Sequence, residues 1–182
     1  TQTSRWGYLP MATSEFAYGT DSFFAGEVFG ADAAIEASGP LDAARRGKAL
    51  LGEALEYAKV RGLAVCVGFE PAAIPLEILN ALPSTAKRRL RWKESEIEVL
   101  DLGTAVARDI LHARLDDLLE TYPQVDAIWL WQNEDAAWTT QRVDMDILPF
   151  DASYLEEARR YIGERAPGVQ VVVSGWGAVH AL

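Results

Sequence analysis

The chain has 182 residues, 49% of them hydrophobic, and a formal net charge of −10 at pH 7. This length fits one domain with a packed core, and the acidic balance argues against nucleic acid or an anionic membrane surface as a partner. No apolar stretch reaches the roughly 18 residues of a membrane-spanning helix, so we expect a soluble protein whose compartment, cytoplasmic or secreted, stays open.

The N-terminal part of the chain predicts a strand followed by a helix. The strand is expected within residues 5–12 (RWGYLPMA). The helix is expected over residues 42–61, where leucines and alanines recur at helical spacing. Asp42 is a suitable N-cap for this helix, and Gly62 is a suitable residue to end it.

The middle of the chain repeats this pattern. Residues 63–69 (LAVCVGF) form an uninterrupted apolar run, which is typical of a strand buried on both faces of a parallel sheet. The single cysteine, Cys66, lies in this run, and we expect a buried, unreactive thiol. A second amphipathic helix is predicted over residues 104–121, and a second buried strand over residues 125–131.

A third helix and strand complete the series. Asp151 is expected to open a helix over residues 152–165, and residues 169–175 (VQVVVSG) form another apolar strand. This alternation predicts parallel strands with right-handed crossovers in one domain over residues 1–182. The pattern alone does not separate a (β/α) barrel from an open doubly wound sheet.

Two long insertions interrupt the alternation, at residues 13–41 and 71–100. The second contains a basic cluster (KRRLRW) over residues 87–92. Both follow strands, on the side where α/β proteins place their functional sites, and long loops there are more often functional than idle.

Carboxylates follow two of the predicted strands. Glu70 comes directly after LAVCVGF, and Glu134 comes shortly after VDAIWLW. Because parallel strands end at one edge, these side chains are expected to converge. Glycoside hydrolysis requires such carboxyl groups, one of them protonated near neutral pH, and burial against Trp129, Trp131 and Trp138 can raise the pKa of Glu134.

The segment IWLWQNE, residues 128–134, resembles the Asn-Glu signature at the end of the fourth strand of clan A glycoside hydrolases, which are TIM-type (β/α)8 barrels. The resemblance implies that Glu134 is the general acid/base and that Asn133 contacts the sugar. The nucleophile of that clan is a second Glu after the seventh strand. If Asn133-Glu134 ends strand four, as the resemblance implies, the chain stops just after strand five, so we expect about half the barrel here, completed by further chain or by a second copy.

Further residues are candidates for binding a carbohydrate substrate. Glu70 can contact the substrate or cap the turn before Pro71. Trp138 and Trp176 follow strands and can stack on sugar rings, whereas core packing is expected for at least one of the strand residues Trp129 and Trp131. A remaining candidate for the substrate loop is Asp21, for which a turn role is an equal alternative.

Two other functional classes remain open. The chain can be a non-catalytic carbohydrate-binding barrel that keeps the aromatic edge but lacks the second acid. It can also be a barrel enzyme of another class, such as a metal-dependent isomerase or aldolase. No phosphate loop, dinucleotide fingerprint or serine nucleophile motif is present, and the two histidines, His112 and His180, have no cysteine pair nearby, so we expect no cofactor and no metal.

Overall fold

From Pro40 onward, and outside the insertion at residues 71–100, the described helices and strands alternate in the order that the apolar periodicity predicts. The computed structural model describes residues 22–24, 27–28, 38–92, 95–131 and 148–174. The strands in these ranges are β1 (Ser22–Phe24), β2 (Glu27–Val28), β3 (Cys66–Phe69), β4 (Lys87–Trp92), β5 (Ser95–Leu100), β6 (Ala127–Trp131) and β7 (Gln170–Ser174). The α-helices are α1 (Pro40–Val60), α2 (Leu76–Ala81), α3 (Ala105–Thr121) and α4 (Leu148–Arg165). The strand expected within residues 5–12 lies outside the described residues.

The three predicted apolar strands form one parallel sheet in the order β3, β6, β7. The register aligns Cys66 with Ala127 and Gln170 at one end, and Trp131 with Ser174 at the other. The prediction of parallel strands separated by helices is therefore confirmed. The fold is mixed α/β. The three parallel strands form an open sheet, β1 with β2 and β4 with β5 form two separate antiparallel pairs, and the described strands form no closed barrel.

One face of this sheet forms the core. Ile128 and Leu130 of β6 are completely buried, and their cluster includes Leu55 of α1, Leu111 of α3 and Ile162 of α4. All three long helices therefore contribute to the same face of the sheet. Alternate side chains of a strand point to opposite faces, so Trp129 and Trp131 belong to the other face.

The second face of the sheet is exposed, and here two expectations were wrong. Trp129 keeps 37% of its surface exposed and Val172 keeps 45%, so these strands are not buried on both sides. Cys66 is an exposed thiol rather than a buried one, because it lies on the same face. The physical reason is that α1, α3 and α4 all pack on the Ile128 face.

The helix ends differ from the sequence prediction by a few residues. The first helix, α1, begins at Pro40. Proline suits the first helical position because a backbone N–H there would have no partner in the helix, and proline has no N–H. Asp42 lies inside the first turn and accepts the backbone N–H of Ser38 at 3.1 Å, so it is not the N-cap. Gly62 ends the helix as predicted, with φ of 75°. Asp151 lies in the first turn of α4, which begins three residues earlier.

The insertion at residues 71–100 is folded rather than an irregular loop. It contains α2, a 3-10 turn at Ser84–Ala86, and an antiparallel hairpin of β4 and β5. The basic cluster lies on β4, where Arg89 stands opposite Glu98 in the register. Leu100 at the end of the hairpin is buried in the main core, which joins the insertion to the sheet domain.

Candidate functional site

The carboxyl ends of the parallel strands lie at one edge of the sheet, where α/β proteins place their sites. Phe69 ends β3 opposite Leu130, so Glu70 follows at the level of Trp131. Ser174 ends β7 opposite Trp131. Side chains from three distant parts of the sequence therefore reach the same edge.

Arg114 of α3 holds the loop that carries Glu70. Its Nη1 donates to the carbonyl oxygen of Pro71 at 2.6 Å, and its Nη2 donates to that of Glu70 at 3.3 Å. The Glu70 carbonyl also accepts the backbone N–H of Ala73 at 3.3 Å. Pro71 is completely buried and Glu70 is half-buried, so packing and a charged donor fix this loop together.

The electrostatics of this loop centre on the guanidinium group. Burial lowers the pKa of Arg114, and the nearby Tyr154 and Glu70 partly offset that effect. Burial also raises the pKa of Tyr154, whose hydroxyl donates to the carbonyl of Ala107 at 2.9 Å. Arginine is not deprotonated in proteins, so Glu70 lies within range of a fixed positive charge. Such a carboxylate is suited to accepting hydrogen bonds from a ligand.

Two tryptophans lie on the exposed face near the same edge. The indole rings of Trp129 and Trp131 have centroids 4.9 Å apart and are inclined by 48°. The indole N–H of Trp129 donates to the hydroxyl oxygen of Ser174 at 2.7 Å. The expectation of core packing for at least one of the pair was wrong, since Trp129 is exposed and Trp131 is only half-buried.

Most residues singled out in the sequence fall outside the part of the chain that the structure describes. These are Asp21, Asn133, Glu134, Trp138 and Trp176. Of the predicted site residues, the described ranges contain Glu70, at the predicted edge of the sheet. The convergence of Glu134 with Glu70 stays a prediction.

Arg114 was not identified from the sequence, although a signal was present. Leu111, three residues earlier, and Leu118, four residues later, lie on the apolar stripe of α3. A charged residue at position 114 therefore interrupts this stripe. Such a residue must find partners when it packs inward. The hydrogen bond between Trp129 and Ser174 could not be predicted in this way, because it depends on the register between β6 and β7.

Within the described ranges, no group of three or more His, Cys, Asp or Glu side chains is placed to hold a metal ion. None of the described helices is long and apolar enough to cross a bilayer.

Comparison with known proteins gives no family assignment. No protein-family model matches the chain, and a search of curated proteins finds no match.

Proposed function

We propose that this chain is part of a TIM-type (β/α) barrel of the glycoside hydrolase kind, acting on an oligosaccharide or polysaccharide, with Glu134 as the general acid/base. One observation carries the proposal: β3 and β6 are parallel neighbours, which leaves Glu70 level with Trp131 at the carboxyl edge. Asn133 and Glu134 follow Trp131 within three residues in the sequence.

The arrangement of the helices supports a barrel. The parallel strands β3, β6 and β7 lie side by side in chain order, and the helices before β3 and between the strands, α1, α3 and α4, contribute to one core on one face. In a barrel every helix lies outside the sheet, whereas a complete doubly wound sheet has helices on both faces. The exposed face would then line the barrel, with Trp129 and Trp131 in the layers nearest its carboxyl mouth, where such barrels bind ligands.

The proposed chemistry assigns a separate task to each residue. Glu134 in its protonated form gives a proton to the leaving oxygen of the glycosidic bond, and its carboxylate form then takes a proton from the attacking water. Asn133 hydrogen-bonds a sugar hydroxyl beside the cleaved bond. Glu70 contacts the substrate, and the loop fixed by Arg114 keeps its position constant. By the clan resemblance, the nucleophile belongs to a later strand, about 5 to 5.5 Å from the acid in a retaining enzyme.

A second candidate function is a non-catalytic carbohydrate-binding barrel. The inclined pair of the exposed Trp129 and the half-buried Trp131 favours it, because an aromatic platform binds sugars without any acid. The two candidates differ in whether a bound glycan is cleaved.

The proposal is tested with Glu134→Gln in the full-length protein, assayed on a panel of oligosaccharides and polysaccharides. The amide keeps the shape of the side chain but cannot deliver a proton, so kcat on a natural glycan should fall by about 10² to 10⁴. Cleavage of an aryl glycoside with a good leaving group should fall less. Glu56→Gln on the exposed surface of α1 serves as the matched control and should keep wild-type activity.

Near wild-type turnover of Glu134→Gln on the natural glycan would refute the acid/base role. Glycan binding by the wild-type protein with no cleavage would favour the second candidate.

A further inference from the structure

Among the described strand residues, the exposed face of the parallel sheet carries no charged side chain. These positions are occupied by Cys66, Gly68, Ala127, Trp129, Trp131, Gln170, Val172 and Ser174. Glu70, which follows β3 at the level of Trp131, adds a carboxylate at the edge, so an anionic ligand would find no cationic partner among these residues. A neutral ligand with apolar patches and hydroxyl groups matches the surface, because indole rings and a valine offer contact area.

Trp129 is fixed in a position that spans the sheet. A Cβ atom on Gly68 of β3 would lie 3.3 Å from the Cβ and the carbonyl oxygen of Trp129 and 3.5 Å from its Cε3, so glycine allows this close approach. The opposite edge of the indole donates to Ser174 of β7. The ring thus extends between two neighbouring strands, with its position set by a hydrogen bond and by packing.

A ring that is already held in place loses little conformational freedom when a ligand stacks on it, so less of the contact energy is spent on ordering. Trp131 adds a second ring, inclined by 48° at a centroid distance of 4.9 Å. Two inclined aromatic surfaces can contact a sugar ring from below and from the side.

We propose that Trp129 and Trp131 form a stacking subsite for a neutral sugar ring, with Ser174 as the residue that positions Trp129. This inference rests on the proposed function, because it names the substrate class of that same edge: a neutral glycan rather than a uronate or sulfated one. Trp138 and Trp176 were the stacking candidates from sequence, and the described geometry adds the strand residues to them.

The subsite is tested by calorimetric binding of neutral hexasaccharides of glucose, mannose and xylose, with oligogalacturonate as the acidic comparison. Trp129→Ala should weaken the best neutral ligand at least about tenfold, as expected for loss of an aromatic anchor. Trp129→Phe should retain part of the affinity. Ser174→Ala should weaken binding by about two- to fivefold, because the ring persists but loses one hydrogen bond.

The matched control is Tyr57→Ala, which removes an exposed aromatic ring on α1 and should leave binding unchanged. Thermal unfolding of each variant checks that the fold is retained. In the free protein, acrylamide should quench Trp129 fluorescence, measured as the difference between wild type and Trp129→Phe.

Four results would overturn the inference. The first is an unchanged affinity of Trp129→Ala for a neutral glycan that binds the wild type. The second is that only oligogalacturonate binds and that Arg88→Ala abolishes this binding. The Nε of Arg88 is buried without an acceptor among the described residues, so it would suit an anion. The third is that no neutral oligosaccharide binds at up to about 10 mM. The fourth is that Trp129 is shielded from acrylamide by other protein.

The two proposals fail separately. Neutral glycan binding through Trp129 without cleavage upholds the subsite and refutes the hydrolase. Cleavage that depends on Glu134 but is indifferent to Trp129 upholds the hydrolase and refutes the subsite.

Discussion

Replacement of Arg114 by alanine should loosen the loop that carries Glu70 and lower the free energy of unfolding by about 3 kcal/mol. The bond to Pro71 is short and comes from a charged donor, so its loss leaves a buried carbonyl unsatisfied at a cost of about 2 to 3 kcal/mol. The bond to Glu70 is long, and that carbonyl keeps the N–H of Ala73, so it adds less than about 1 kcal/mol.

Urea unfolding monitored by far-UV circular dichroism measures this difference. Arg114→Lys can keep one of the two bonds and should lose about half as much stability. The matched control is Arg108→Ala, an exposed position on the same helix, which should change stability by less than about 0.5 kcal/mol. If Arg114→Ala is no more destabilising than Arg108→Ala, the guanidinium does not hold the loop and the reasoning is wrong.

Two further predictions concern the contact between α3 and α4 and the core. The pKa of Glu157 is lowered to about 2 by hydrogen bonds from Arg160 and His112. Its ionised form therefore stabilises the fold at pH values above the unfolded-state pKa, which is near 4.5. This contribution to stability is lost as the pH falls from about 4.5 towards 2. Glu157→Gln should therefore cost about 1 to 2 kcal/mol at pH 7 and much less at pH 3, and an equal cost at both pH values would contradict this. Leu130→Ala should lower the free energy of unfolding in urea by about 2 to 5 kcal/mol because the side chain is completely buried. Val172→Ala on the exposed face should lower it by under about 1 kcal/mol. Similar losses in the two variants would show that the two faces are assigned incorrectly.

The parallel sheet could be predicted because each strand is an apolar run of strand length between helical stripes. Ile128 and Leu130 alternate with Trp129 and Trp131, so the sequence also predicted that the two pairs occupy opposite faces. Which face is exposed could not be read from the sequence, because all four side chains are apolar. That choice depends on where the helices pack, and it explains the wrong expectation for Cys66.

The hairpin of β4 and β5 could have been predicted in part. Glu96 and Glu98 alternate with Ile97 and Val99, which is the period of a half-exposed strand. The basic residues of β4 concealed the matching pattern, since three of them are consecutive. The pairing of Arg89 with Glu98 depends on the register between β4 and β5, which the sequence of either strand alone does not predict.

At the candidate site, the sequence placed Glu70 at the carboxyl edge but did not reveal what holds it there. Arg114 is distant in the sequence, and the bonds that it donates to Glu70 and Pro71 go to backbone carbonyl groups, whose positions depend on the fold. The contact of Trp129 with Ser174 likewise requires the register of β6 and β7. Residue types at strand ends therefore predict the chemistry of an edge, while its supporting contacts come from packing.

The central claim is that Glu70 and Glu134 serve one glycan site at the carboxyl edge of the sheet. A crystal structure of Glu134→Gln with a bound neutral oligosaccharide tests it most directly. We expect the sugar to lie across the edge, with the side chain at position 134 within hydrogen-bond distance of a glycosidic oxygen and Glu70 contacting a neighbouring hydroxyl group. A side chain at position 134 directed towards the outer helices, or a glycan bound away from this edge, would contradict the account.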